Sequence, residues 1–129
     1  MIRKIKRTSF RKNMKIGVPK EIKPQENRIG LTPESVKVLV SNGHEVLIEN
    51  NGGFEAGFYN EQYKSVGAKL IDKAEDIFND AEIIVKVKEP LSNEVKMIRE
   101  NQIVFTYLHL AAAKELTEGL IKSKSICIA

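Results

Sequence analysis

The chain has 129 residues, 42% of them hydrophobic, a single cysteine and a formal charge of +4. That length and apolar content suit one globular unit, or most of one, and no run approaches the ~20 apolar residues of a membrane span. The charge is local: residues 1–13, MIRKIKRTSFRKN, hold six of the 21 basic residues and no acid, which leaves 15 basic against 17 acidic residues in the remainder and argues against nucleic acid as a partner of the folded part.

The basic leader reads as a nucleic-acid arm, a targeting peptide or upstream sequence read from an early start codon. It lacks the apolar centre of a secretory signal, and Met14 directly precedes a strand-like segment, so an upstream extension with the start at Met14 is favoured over a functional arm. Residues 14–129 form the folded unit. Cys127 has no internal disulfide partner, and its apolar neighbours predict a buried, inert thiol, in keeping with a reducing cytoplasm.

From Met14 onward, short β-branched runs alternate with amphipathic helical stretches. KIGVP (15–19) is the first predicted strand. Thr32 and Pro33 then start a helix, with the hydroxyl at the N-cap and the proline at the first helical position, and Gly43 supplies a left-handed end. HEVLIEN (44–50) is the second strand, followed by a glycine-rich turn, a short helix from Asn60 to Val66, a strand at AKLI (68–71) and a helix over AEDIFND. EIIVKVK (82–88) is the fourth strand, and Ser92 caps a helix running to Ile98. IVFTYL (103–108) is the fifth strand, ELTEGLIKS the next helix, and SICIA begins a sixth strand. Strands separated by helices require right-handed crossovers, so the expected fold is α/β: an open parallel sheet with helices on both faces, flavodoxin-like or Rossmann-like. The chain stops at Ala129 inside an apolar run, which predicts a fragment of something longer.

Ligands of open parallel sheets bind at the carboxyl ends of the strands, and three polar residues fall there. The fourth strand closes on Lys86 and Lys88, which alternation places on one side with Val85 and Val87 on the other. Solvated lysines at a frayed end are the competing reading. Lys88 lies nearer the carboxyl end, where a half-buried ammonium donates to a carbonyl oxygen, and it is the residue chosen. His109 ends the fifth strand. A satisfied core histidine is the bland alternative, whereas an imidazole at a strand end can pass a proton near neutrality. His44, by contrast, precedes its strand at the opposite edge and reads as a turn residue. Arg28 lies in the charged loop after the first strand, where solvation is the default and carboxylate binding beside a helix N-terminus the functional reading. Together the three make an anion clamp, a carbonyl polariser and a proton shuttle, a set suited to a small carboxylic acid changing at its α carbon. The glycines of NGGFEAGF match neither GxGxxG nor GxxxxGK[ST] and read as a plain turn, and no Cys/His cluster has metal spacing.

MKIGVPKEIKPQENRIGLTPE, GHEVLIENNGGFEAGF, IIVKVKEP and FTYLHLA, in this order, resemble the N-terminal region of alanine dehydrogenases, relatives of the pyridine nucleotide transhydrogenase α chain. The likeness runs from Met14 to Ala129. The histidine of LHL favours the alanine dehydrogenase side, since transhydrogenases generally lack it. The resemblance implies that Arg28 holds the substrate carboxylate, Lys88 contacts the substrate carbonyl oxygen and His109 is the catalytic acid/base. It implies the NAD-dependent conversion of L-alanine and water to pyruvate and ammonia, by cytoplasmic homohexamers. The family's NAD-binding domain follows this region and has no counterpart in the sequence, so this stretch alone is expected to lack a cofactor site and to be inactive. A catalytically inactive small-carboxylate-binding module and a transhydrogenase-type subunit piece remain as alternatives.

Overall fold

The computed structural model describes residues 13–129, so the basic leader, apart from Asn13, lies outside the described residues. Six strands form one all-parallel sheet: β1 (Lys15–Val18), β2 (Glu45–Glu49), β3 (Lys69–Ile71), β4 (Ile83–Val85), β5 (Ile103–Phe105) and β6 (Ile126–Ile128). Their spatial order is β3-β2-β1-β4-β5-β6. This is the doubly wound Rossmann order, and it decides between the two expected arrangements. Five helices make the crossovers: α1 (Pro33–Ser41), α2 (Asn60–Ser65), α3 (Ala74–Asp80), α4 (Ser92–Val95) and α5 (Lys114–Ser123).

Parallel strands show the same residue parity to the same face, and two cores result. Ile16, Val18, Val46 and Ile48 meet Val36 of α1 and Tyr63 of α2 on one face. Leu47, Ile84 and Val104 meet Ile77 and Phe78 of α3 and Leu120 of α5 on the other. Gly17 is required on that second face, because a Cβ there would lie 2.5 Å from Ile77 Cγ2 and 2.7 Å from Ala81 Cβ. The first face is covered unevenly. Ile103, Phe105, Ile126 and Ile128 share the parity of Ile83 and Val85, yet Phe105, Ile126 and Ile128 are 51%, 50% and 45% exposed.

The expected start of α1 is present: Thr32 Oγ1 accepts the Ser35 N–H at 3.2 Å, and Pro33 opens the helix. Gly43 takes the left-handed conformation (φ 89°) just past its end. Several expectations need correction. β4 and β5 stop at Val85 and Phe105, three residues short of the predicted ends, because the chain leaves the ladder toward the loops at the sheet's carboxyl edge. Ser92 is the first residue of α4 rather than its cap; Leu91 holds the cap position, its N–H donates to Glu94 Oε1 at 3.0 Å, and the helix ends at Val95 instead of Ile98. Cys127 is exposed, not buried, because β6 is an edge strand whose residues are all exposed. The NGGFEAGF turn contains a single 3-10 turn, Phe54–Ala56.

Candidate functional site

The order of strands reverses between β1 and β4, the switch point beside whose carboxyl ends ligands of open parallel sheets bind. The segments that follow β1, β4 and β5, three adjacent strands, carry Arg28, Lys88 and His109. Gly30 fixes the first segment against the second: a Cβ there would lie 2.7 Å from the Val85 carbonyl oxygen, so only glycine lets the Arg28 loop lie on the end of β4.

Arg28 is 66% exposed. Its Nε and Nη2 donate to the two oxygens of Glu26 at 2.9 and 2.7 Å, and its backbone N–H donates to Glu26 Oε2 at 3.0 Å. The Arg28 bond, joined more weakly by the Lys88 charge, holds the Glu26 carboxyl down at about 2, against some burial. Glu26 thus grips the side of the guanidinium, leaving the Nη1 edge of the fork to a ligand. Arg28 itself feels Glu26 above all, and more weakly Glu21 and Tyr107.

Lys88 is half-buried, whereas His109 is exposed and directly precedes a 3-10 turn at Leu110–Ala112. Glu89 lies beside both. Burial works to raise its carboxyl, but the Lys23 ammonium hydrogen-bonded to it, with the charge of His109, outweighs burial and brings it below the usual range. The second oxygen of Glu89 is buried with no hydrogen-bond partner, at one end of a groove of about 840 Å³ between α4 and α5.

The paired lysines of the fourth strand have different fates. Lys86 is 4% exposed, and its Nζ lies 3.3 Å from Glu21 Oε2 and 3.1 Å from Glu94 Oε2, both carboxylates themselves buried. Placing Lys86 and Lys88 on one side by alternation alone did not foresee that Lys86 is buried between two carboxyl groups. The available signal was the one that made them conspicuous, since a buried parallel strand tolerates lysine only with a counter-charge, and Glu21 in the loop after β1 and Glu94 in α4 supply it. His44 stands at the amino edge as expected, where its Nδ1 accepts the Met14 N–H at 3.1 Å.

Among the described residues no group of three or more His, Cys, Asp or Glu is placed to hold a metal, and no helix is long and apolar enough to cross a membrane.

Comparison with known proteins gives the relatives of this chain. The family model described as alanine dehydrogenase/PNT, N-terminal domain, matches residues 17–129. The alanine dehydrogenase of Staphylococcus epidermidis is 49% identical over 116 residues, a match covering 90% of this chain and 31% of that protein. A solved L-alanine dehydrogenase superposes with a TM-score of 0.88 at 51% identity, over 90% of this chain and 32% of that one. A transhydrogenase from Sinorhizobium meliloti superposes with a TM-score of 0.83 at 26% identity, over 89% of this chain and 33% of that one. The chain therefore spans about a third of the length of these relatives.

The described residues do not fit a dinucleotide. A pyrophosphate needs a tight glycine turn running into a helix N-terminus, but β1 is followed by a long loop with a single glycine, Gly30, packed on β4, and Thr32 already caps α1. The bare faces of Gly52 and Gly53 are filled by the protein itself: a Cβ would meet Glu49 O and Phe58 O, each at 2.9 Å.

Proposed function

Since the chain belongs to the alanine dehydrogenase/PNT N-terminal domain family, we propose that it is the substrate-binding part of an NAD-dependent L-alanine dehydrogenase. The observation that supports this reading is that Arg28, Lys88 and His109 lie in the segments that follow three adjacent parallel strands, β1, β4 and β5. Greater identity to the L-alanine dehydrogenase than to the transhydrogenase supports the same branch.

In this reading the open edge of the Arg28 guanidinium takes the carboxylate of alanine or pyruvate. The Lys88 ammonium donates to the pyruvate carbonyl oxygen and draws charge from the α carbon. His109, exposed on the same edge, passes the proton gained or lost by the oxygen or nitrogen at that carbon. NAD is held by residues outside this chain, in keeping with the lack of a dinucleotide cradle. Assembly as a homohexamer and a cytoplasmic location belong to the same proposal.

Titration of pyruvate into the chain tests the binding half. The unsubstituted chain is expected to bind, and Arg28→Gln and Lys88→Met each to weaken binding by about tenfold or more, the worth of a charge-assisted hydrogen bond. Affinity indifferent to both substitutions overturns the reading. In a polypeptide of the relatives' full length, His109→Ala is expected to lower pyruvate reduction about a hundredfold or more while pyruvate still binds.

A further inference from the structure

The ladder between β4 and β5 makes its last bond at Lys86, whose N–H donates to the Phe105 carbonyl at 3.0 Å. The next two amides have left the sheet, and a single carboxylate from the neighbouring loop receives both. Glu21 Oε2 accepts the Val87 N–H at 3.2 Å and Oε1 accepts the Lys88 N–H at 3.0 Å. The Lys88 carbonyl is held as well, by the Thr106 hydroxyl at 2.9 Å. Lys88 is thus pinned on both sides of its Cα, and its side chain is the only part left to move.

This arrangement is costly. The Glu21, Lys86 and Glu94 side chains are 1%, 1% and 2% exposed, two carboxyl groups sharing one lysine. Buried ion pairs of this kind rarely stabilise a fold beyond what apolar residues of the same volume achieve. An apolar residue at 21, however, has nothing to offer two successive N–H groups. A carboxylate presents two oxygens with the spacing for both, and burial keeps water from competing for them.

We infer that Glu21 is the positioning residue of Lys88: its carboxylate takes the two amides that turn the chain out of β4, and Lys86 is the buried partner that holds that carboxylate in place. Glu21 does not touch substrate. The role rests on the reading of Lys88 as the donor to the substrate carbonyl.

Glu21→Gln and Glu94→Gln in the 129-residue chain form the test. Each removes one negative charge from Lys86 and leaves an amide of the same size, but only Glu21 touches the Val87 and Lys88 amides. Hydrogen exchange is followed at those amides by NMR, pyruvate affinity by calorimetry, and stability by thermal melting. Glu21→Gln is expected to speed exchange at Val87 and Lys88 and to weaken pyruvate binding, each by about tenfold. Glu94→Gln is expected to lower the melting temperature while leaving both within about twofold. Equal effects of the two substitutions, or none from Glu21→Gln, overturn the assignment and reduce the cluster to core stability. Exchange that responds as stated in a chain that does not bind pyruvate supports the tether and overturns the substrate reading instead. If Glu21→Gln does not fold, Thr106→Val frees the Lys88 carbonyl without altering a buried charge; it is expected to weaken pyruvate binding about threefold, and unchanged affinity overturns the inference.

Discussion

At the residue scale, carboxylates that sequence reasoning did not single out hold two of the three candidate residues: Glu26 the side chain of Arg28 and Glu21 the backbone of Lys88. Glu26 holds one side of the Arg28 guanidinium and so fixes its orientation. Because its folded pKa of about 2 lies below the ordinary 4.5, Glu26 contributes stability that is complete above about 4.5 and is lost as pH falls through about 2. The Glu26 side-chain carboxyl carbon, followed by NMR, is expected to titrate near 2 and to return toward the ordinary range in Arg28→Gln; an ordinary midpoint in the unsubstituted chain counts against the pairing. Lys88 and His109 stood out in the sequence as candidates because each is a polar residue following an apolar run. Glu26 and Glu21 were not, because a carboxylate in a charged loop looks solvated until the fold shows what it accepts.

At the element scale, the cores of the strands and helices were readable from periodicity, and their ends depended on chemistry. Thr32 and Pro33 opened α1 as expected, since N-cap and first-turn preferences are local. β4 ended early for a reason outside it: after Lys86 the amides find a better acceptor in Glu21 than in β5. α4 is likewise short, and its Glu94 serves both the Leu91 N–H and Lys86. The Arg28 loop depends on Gly30, whose position allows no Cβ because the contact is backbone. Gly30→Ala is expected to destabilise the chain by ~1–3 kcal/mol, as overpacking does, and to weaken pyruvate binding by displacing Arg28 from β4. A melting temperature and affinity equal to the parent's would show that the loop adjusts without loss.

At the scale of the whole molecule, one face of the sheet is half covered. α1 and α2 pack over β1, β2 and β3, whereas Phe105, Ile126 and Ile128 stand exposed on the same face. Contiguous apolar surface of this kind drives association. The 129-residue chain is expected to sediment as larger species with rising concentration, and Phe105→Ser with Ile128→Ser to raise the dissociation constant about tenfold or more, on the area removed. Sedimentation as a monomer at all concentrations rules this out. Cys127 points to the other face, in register with Val104, and is exposed because β6 is the edge strand: an apolar run fixes which residues prefer burial but not whether anything packs on them.

The sequence by itself determined the alternation of elements, the parallel sheet, the family motifs and three candidate residues beyond the carboxyl ends of β1, β4 and β5, because periodicity, capping and short motifs act over a few neighbours. Only the tertiary structure decided the Rossmann strand order, the separation of Lys86 from Lys88, and the capture of two amides by Glu21, sixty-odd residues away in the chain. Those outcomes depend on which loops the crossovers bring to one edge of the sheet, and on the demand that every buried charge and N–H find a partner there.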